Sequence, residues 1–262
     1  MKTKYQFSYY LRIVLTIVIY AIFYYYIIYS CIHAQNKGTI IFNIIMGVMF
    51  GSVGTLFEYL RIVYDAATKR LIVDSKPEET LRLLNKVEKA DLFKTFKTSC
   101  QMMRMLALID LRRFDEVLDY IKQLEKDSIS EYDVQIVAKY AEMMAHGEMG
   151  NKGKSNEAFK QLISLRDLRT DKGKRYKGAF YFNWEVVNGQ HKNYEKEYDG
   201  AFRYLKDIDE TNMNMRELMH YLLAKTVAAK NSGQSQIYED CKQRLLKTIT
   251  NNKAMKDYVD TL

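Results

Sequence analysis

The residue types best able to do chemistry in this chain are four histidines, three cysteines and the carboxylates near them. His33, His146, His191 and His220 are scattered along the sequence, and the helical-spacing carboxylate worth naming is Glu142, one turn before His146. There is no His-Glu-x-x-His and no second histidine at ligand spacing, so a metal site is not expected. Cys31, Cys100 and Cys241 lie at wide intervals that suit neither a disulfide nor a metal framework. They read as small apolar side chains and fit a reducing compartment. Residues 147–155 end in Gly153-Lys154-Ser155, as a phosphate loop does. Gly147, however, lies one residue further from Gly153 than that loop allows, and it follows a helical pattern rather than a strand. With no activated nucleophile, acid–base pair or phosphate loop, no enzyme and no cofactor are expected.

The strongest local charge lies at 166–177, where Arg166, Arg169, Lys172, Lys174, Arg175 and Lys177 are opposed only by Asp167 and Asp171. Phe180, Tyr181, Phe182 and Trp184 follow. Three readings are open. The stretch is a solvated loop ahead of a helix whose aromatics are core, or its cations meet anionic lipid headgroups or an acidic protein. In the third reading, cations and aromatics together hold nucleic acid. That one is the least favoured, because the net charge of +8 is shared between the apolar N-terminal quarter and a long, only mildly basic remainder.

These residues must be held by helices. The chain has 262 residues, 12 glycines and a single proline, Pro77, a shortage of breakers that favours long helices over sheets with tight turns. Residues 13–32 and 39–57 carry no charge. At about 1.5 Å rise per residue each run spans roughly 30 Å, the thickness of a hydrocarbon core. The link at 33–38 is so short that the second helix must return antiparallel. The first run exceeds the apolar core of a signal peptide and a second span follows directly, so a retained transmembrane hairpin is expected over residues 1–64. Lys2, Lys4 and Arg12 precede the first span, Arg61, Lys69 and Arg70 follow the second, and the link offers only Lys37. Positive flanks favour the cytoplasm, so the expectation is a two-span protein of the cell membrane with both termini cytoplasmic. Tyr5, Tyr9, Tyr10 and Tyr29 sit where an interfacial belt would, whereas Tyr20 and Tyr24 to Tyr26 lie deeper and are expected to pack on the second span. Gly47, Gly51 and Gly54 let another helix approach closely: the first span, a second copy, or a partner membrane protein. Neither span has an ionisable residue in its interior, which argues against an ion path built by this chain alone.

Beyond the hairpin the pattern is amphipathic and helical. It divides into a connector at 65–75, a helical domain at 76–250 and a tail at 251–262. Ser75-x-x-Glu78 is placed to cap the first helix, with Pro77 in its first turn. Phe114, Val117, Leu118, Ile121 and Leu124 step by three and four. The same spacing recurs 41 residues later in Ser155, Ala158, Phe159, Leu162 and Leu165, and 43 after that in Tyr198, Ala201, Phe202, Leu205 and Ile208. It is also found 37 residues before Phe114, in Pro77, Thr80, Leu81, Leu84 and Val87. Intervening helices are expected at about 91–110, 131–147, 173–188 and 213–230. Turn residues at Gly147, Gly150-Asn151, Asn188-Gly189 and Asn231-Ser232-Gly233 separate them. Alternating helices of this kind predict an all-α chain whose helix pairs stack into a solenoid.

Tyr198-x-x-Ala201-x-x-x-Leu205 and, more loosely, Phe114-x-x-Val117-x-x-x-Ile121 resemble the second helix of tetratricopeptide repeats. The resemblance extends over residues 76–250. It implies an α-solenoid with a concave surface that binds peptides or other proteins. The expected function is then a membrane-anchored scaffold or regulator with a protein partner. One alternative is an accessory subunit of a multi-protein secretion or transport complex, docked through its hairpin on a membrane partner or a second copy. Another is an immunity-type inhibitor of a toxin. The abundance of Lys, Ile, Tyr and Asn points to an AT-rich bacterial genome.

Overall fold

The structure, a computed structural model, describes residues 2–126 and 131–262. The side chains of Lys2, Lys4, Tyr5, Tyr9, Tyr10, Arg12 and Phe180 lie outside the described residues. The described residues form twelve α-helices and one 3-10 turn, with no strand, and divide into two compact units, Met1–Arg61 and Ile62–Leu262.

The first unit holds α1 (Lys2–Ile32) and the start of α2 (Lys37–Ile72). Only residues 33–36 separate them, so Lys37 and Gly38 are already helical. Asn36 caps the return: its Oδ1 accepts from the backbone N–H of Thr39 at 2.8 Å and from the Thr39 hydroxyl at 2.9 Å. The two helices pack antiparallel, with Gly47 against Ile27, Gly51 against Tyr24 and Gly54 against Tyr20. Both are long and apolar enough to cross a membrane, with mean hydropathy 1.9 for Val14–Ile32 and 2.0 within Lys37–Ile72. Ile17, Ile22, Tyr25, Tyr26, Ile45 and Val48 are each more than half exposed on this unit. Tyr20 and Tyr24 thus pack on the second helix as expected, while Tyr25 and Tyr26 point outward.

The second unit begins inside α2. The expected connector is mostly helix, because no breaker interrupts the chain before Val73, and Ala67 and Leu71 are buried. The chain turns at Ser75, whose backbone takes the left-handed conformation at φ 51°. Its hydroxyl is buried without a partner, so the Ser75/Glu78 capping box does not form. Lys76 is the N-cap and Pro77 opens α3 (Pro77–Ala90). There follow α4 (Lys97–Asp110), α5 (Phe114–Lys126), α6 (Tyr132–Glu148), α7 (Lys152–Asp167), α8 (Trp184–Tyr194), α9 (Tyr198–Leu205), α10 (Met215–Asn231), α11 (Ser235–Thr248) and α12 (Lys253–Thr261). From α3 onward each helix packs on the next, and α4, α6, α8 and α10 also pack on one another in order. These four form an inner row, flanked by α3, α5, α7, α9 and α11.

In α3, α5, α7 and α9 the recurrent spacing produces recurrent burial. Thr80, Val117, Ala158 and Ala201 are at most 4% exposed, and so are Leu84, Ile121, Leu162 and Leu205. These side chains are the inward teeth of each helix, one turn apart. The expected helix at 173–188 is not formed as such. Gly173 turns the chain at φ 71°, and Asn183 starts α8 by accepting from the backbone N–H groups of Glu185 and Val186 at 3.1 and 3.3 Å. The helix then runs through Asn188-Gly189, which reads as a turn. Gly189 is needed for a different reason, since a Cβ there would lie 2.6 Å from Leu205 Cγ where α9 crosses. Residues 251–262 are not a loose tail either, as they form α12 with Met255 and Val259 buried.

Candidate functional site

All four inner helices send a polar side chain to one buried point. Asp110 ends α4, Tyr140 comes from α6, Gln190 from α8, and Arg216 and His220 from the start of α10; none is more than 7% exposed. The Arg216 guanidinium clamps Asp110 with two hydrogen bonds of 2.9 Å, and His220 Nε2 donates to Asp110 Oδ1 at 2.8 Å. The Tyr140 hydroxyl donates to Gln190 Oε1 at 3.4 Å, and Asn252 Nδ2 donates to the Asp110 carbonyl at 2.9 Å. Burial works against the Asp110 carboxylate, but Arg216 and His220 outweigh it and hold the group below the usual carboxylate range. Burial first, and then the Arg216 charge, push His220 down, so it is neutral at pH 7. Its Nδ1 has no hydrogen-bond partner.

An Asp–His pair can relay a proton where substrate reaches it. Here all the partners are closed off from solvent, and the geometry ties the first inner helix to the last. The expected concave face is therefore filled at this point by its own side chains. A second tie runs alongside. Arg112 Nη2 donates to Glu148 at 2.6 Å and its guanidinium lies 3.3 Å from the Tyr258 ring centroid, while the Tyr194 hydroxyl donates to Glu148 at 3.1 Å. Arg216 and His220 are one helical turn apart, which sequence spacing reveals. Asp110 is 106 residues before Arg216, and no spacing argument reaches it.

One open recess of the second unit is a cleft of about 580 Å³ along α3, α4 and α5. Leu81, Leu108 and Tyr120 form its apolar part, and Arg82, Arg104, Arg113, Glu78, Glu116 and Asp119 its charged part. Arg104 is committed to Asn85 and Glu88, both at 2.6 Å, and lies 5.8 Å from the Tyr120 ring centroid. Burial pushes the Tyr120 phenol up to about 12. Arg113 pairs with Glu116 at 2.5 Å and Asp119 with Lys122 at 3.1 Å. Glu78 and Arg82 are in no close ion pair among the described residues, although the Arg82 charge reaches Glu79.

The residues singled out from sequence fall as follows. Gly47, Gly51 and Gly54 all face the first helix: an added Cβ would come within 3.2 Å of Ile27 at 47, and would meet the hydroxyls of Tyr24 at 51 and Tyr20 at 54. Glu142 turns to Lys139 at 2.8 Å rather than to His146, and His191 stacks on Phe159 with centroids 3.8 Å apart. Ser155 is buried and donates to the Met143 carbonyl at 2.9 Å, which ties α7 to α6. Among the described residues no group of three or more His, Cys, Asp or Glu is placed to hold a metal ion. Cys100 and Cys241 are buried.

The basic cluster is divided by the structure. Arg166 stays on α7, paired with Asp167 at 2.8 Å and 5.3 Å from the Trp184 ring centroid. Arg169 and Arg175 face each other across an isolated antiparallel bridge, and Lys172 and Lys174 occupy the tip between them. The tip is closed by the Thr170 N–H to the Lys174 carbonyl and the Gly173 N–H to the Thr170 carbonyl, both 2.8 Å. Lys177 opens the 3-10 turn (Lys177–Phe180). Residues 168–176 thus make a short basic tongue, while Tyr181, Phe182 and Trp184 pack against the core.

Compared with known protein families, with curated proteins and with solved structures, the chain matches none.

Proposed function

We propose that the chain is a membrane-anchored helical adaptor, whose hairpin sits in the cell membrane and whose second unit holds a protein partner in the cytoplasm. The observation that carries this reading is the exposed apolar surface of the first unit. Residues such as Ile17, Ile22 and Val48 are 62%, 63% and 65% exposed, and a run of them on two adjacent helices has no stable state in water. Lipid is the environment that such a surface fits. The positive flanks support a topology with both termini inside.

The helical order of the second unit, with an inner row and flanking helices of recurrent burial, supports a tetratricopeptide-like stacking of helix pairs. Because the Asp110 cluster fills the inner row, the binding surface is the α3–α5 cleft rather than a long concave face. Its apolar floor and the charges of Glu78 and Arg82 suit a short peptide segment that carries one charge of each sign. A photo-crosslinking residue in place of Gln123, which lines this cleft, tests the reading in intact cells. A discrete adduct that is lost with Arg82→Glu is expected. No adduct, or one indifferent to the charge reversal, contradicts it.

A further inference from the structure

The tongue at 168–176 has a surface that the adaptor reading does not use. Arg169, Lys172, Lys174 and Arg175 are exposed; Asp171, also exposed, lies among them and leaves the tongue a net +3, while Asp167 is held by Arg166, with Arg175 only at 3.9 Å. At its base, beside the bridged pair, two large side chains are also open: Leu168 is 46% exposed and Tyr176 37%. Cations at the tip with a leucine and a tyrosine at the base form the pattern of a segment that lies in a headgroup layer, where tyrosine is enriched and each cation is attracted to negative lipid. The bridge and the two tip hydrogen bonds hold this shape in advance, so little ordering is needed on contact. Nucleic acid fits poorly. Among the described residues Tyr181, Phe182 and Trp184 are packed against the core and one face of Tyr176 is stacked on Tyr132 at 4.3 Å, which leaves little aromatic surface for bases.

We propose that the tongue at 168–176 binds anionic lipid headgroups, with Arg169, Lys172, Lys174 and Arg175 meeting the negative charge and Leu168 and Tyr176 entering the interface. This rests on the reading of α1 and α2 as membrane spans. The tether then keeps bilayer within reach of a unit of this size, and weak contacts suffice at the resulting effective concentration.

The full chain is reconstituted into nanodiscs, either of phosphatidylcholine alone or with about a third phosphatidylglycerol, a fraction high enough for strong surface attraction. An environment-sensitive fluorophore is placed through Asp171→Cys in a Cys31→Ser background, which keeps all four proposed cations. Cys100 and Cys241 are buried and resist labelling, burial having pushed the Cys100 thiol up to about 12. Incorporation into the disc is scored first, by co-elution with lipid. Failure there overturns the anchor reading and the proposal with it. For incorporated protein, quenching by a headgroup-attached quencher is expected only in the anionic discs. It should disappear in high salt, and weaken about fivefold for each cation removed among Arg169→Gln, Lys174→Gln and Arg175→Gln. Equal quenching in both lipids, or none in anionic discs, overturns the proposal while leaving the anchor intact, and assigns the tongue to an acidic protein or to solvent.

Discussion

Asp110 sets the chemistry of the second unit. A carboxylate taken out of water costs several kcal/mol unless its partners restore what water supplied. Arg216 and His220 do so through three hydrogen bonds of 2.8 to 2.9 Å. The consequence is a stability that depends on pH in a definite direction. His220 has its pKa lowered in the folded protein, so the unfolded chain takes up the proton first as pH falls. Its contribution is complete above the ordinary histidine value of about 6.5 and is lost between that value and the lower folded pKa. Asp110, also lowered, adds a second loss below about 3.9. Both act in the same sense. Unfolding followed by the fluorescence of the single tryptophan, Trp184, should show a midpoint that falls between pH 7 and pH 5. His220→Gln, which keeps a donor toward Asp110, should flatten that fall. It will not abolish it, because burial lowers His146 and His191 as well. An identical slope in the variant would mean that the cluster does not govern the acid limb.

At the scale of elements, the hairpin depends on where its glycines are. Gly51 faces the Tyr24 hydroxyl so directly that a methyl at 51 requires the Tyr24 ring to shift. Gly51→Ala is expected to weaken the hairpin by about 1–3 kcal/mol, the range for overpacking a close contact. Tyr24→Phe, which removes the oxygen that the methyl meets, should recover a large part of it. Denaturation in detergent for the two single variants and the double variant measures the coupling. Additive effects would show that the contact is not the one seen. Glycine also marks the boundary of what sequence can reveal. Gly47, Gly51 and Gly54 read as a close-approach face and are one, but the sequence leaves three partners open. Gly189 reads as a turn because a glycine that admits Leu205 and a glycine that bends the chain look the same in one dimension. The recurrent spacing of α3, α5, α7 and α9 is legible because two inward positions per helix must be apolar or small. The Asp110 cluster is not, because its members come from four helices whose register only packing decides. The tongue escapes for a related reason: the spacing of its cations is compatible with a helix, and only Gly173 and Asn183 break it.

For the whole molecule, the two units divide the sequence's apolar and polar surfaces between two solvents. The first exposes large apolar side chains on paired helices and suits lipid. The second buries most of its own in a helical array and, the Asp110–Arg216 pair apart, carries its charges mainly outward. Under the proposed topology both termini and the second unit lie on the cytoplasmic face, with residues 33–36 outside. Labelling of intact cells with a membrane-impermeant maleimide tests this most directly, again in a Cys31→Ser background. Asn36→Cys, in the short link, should label without permeabilisation. Gln234→Cys, on the exposed surface between α10 and α11, should label only after the membrane is opened. Labelling of both positions in intact cells, or of Gln234→Cys alone, would contradict the account.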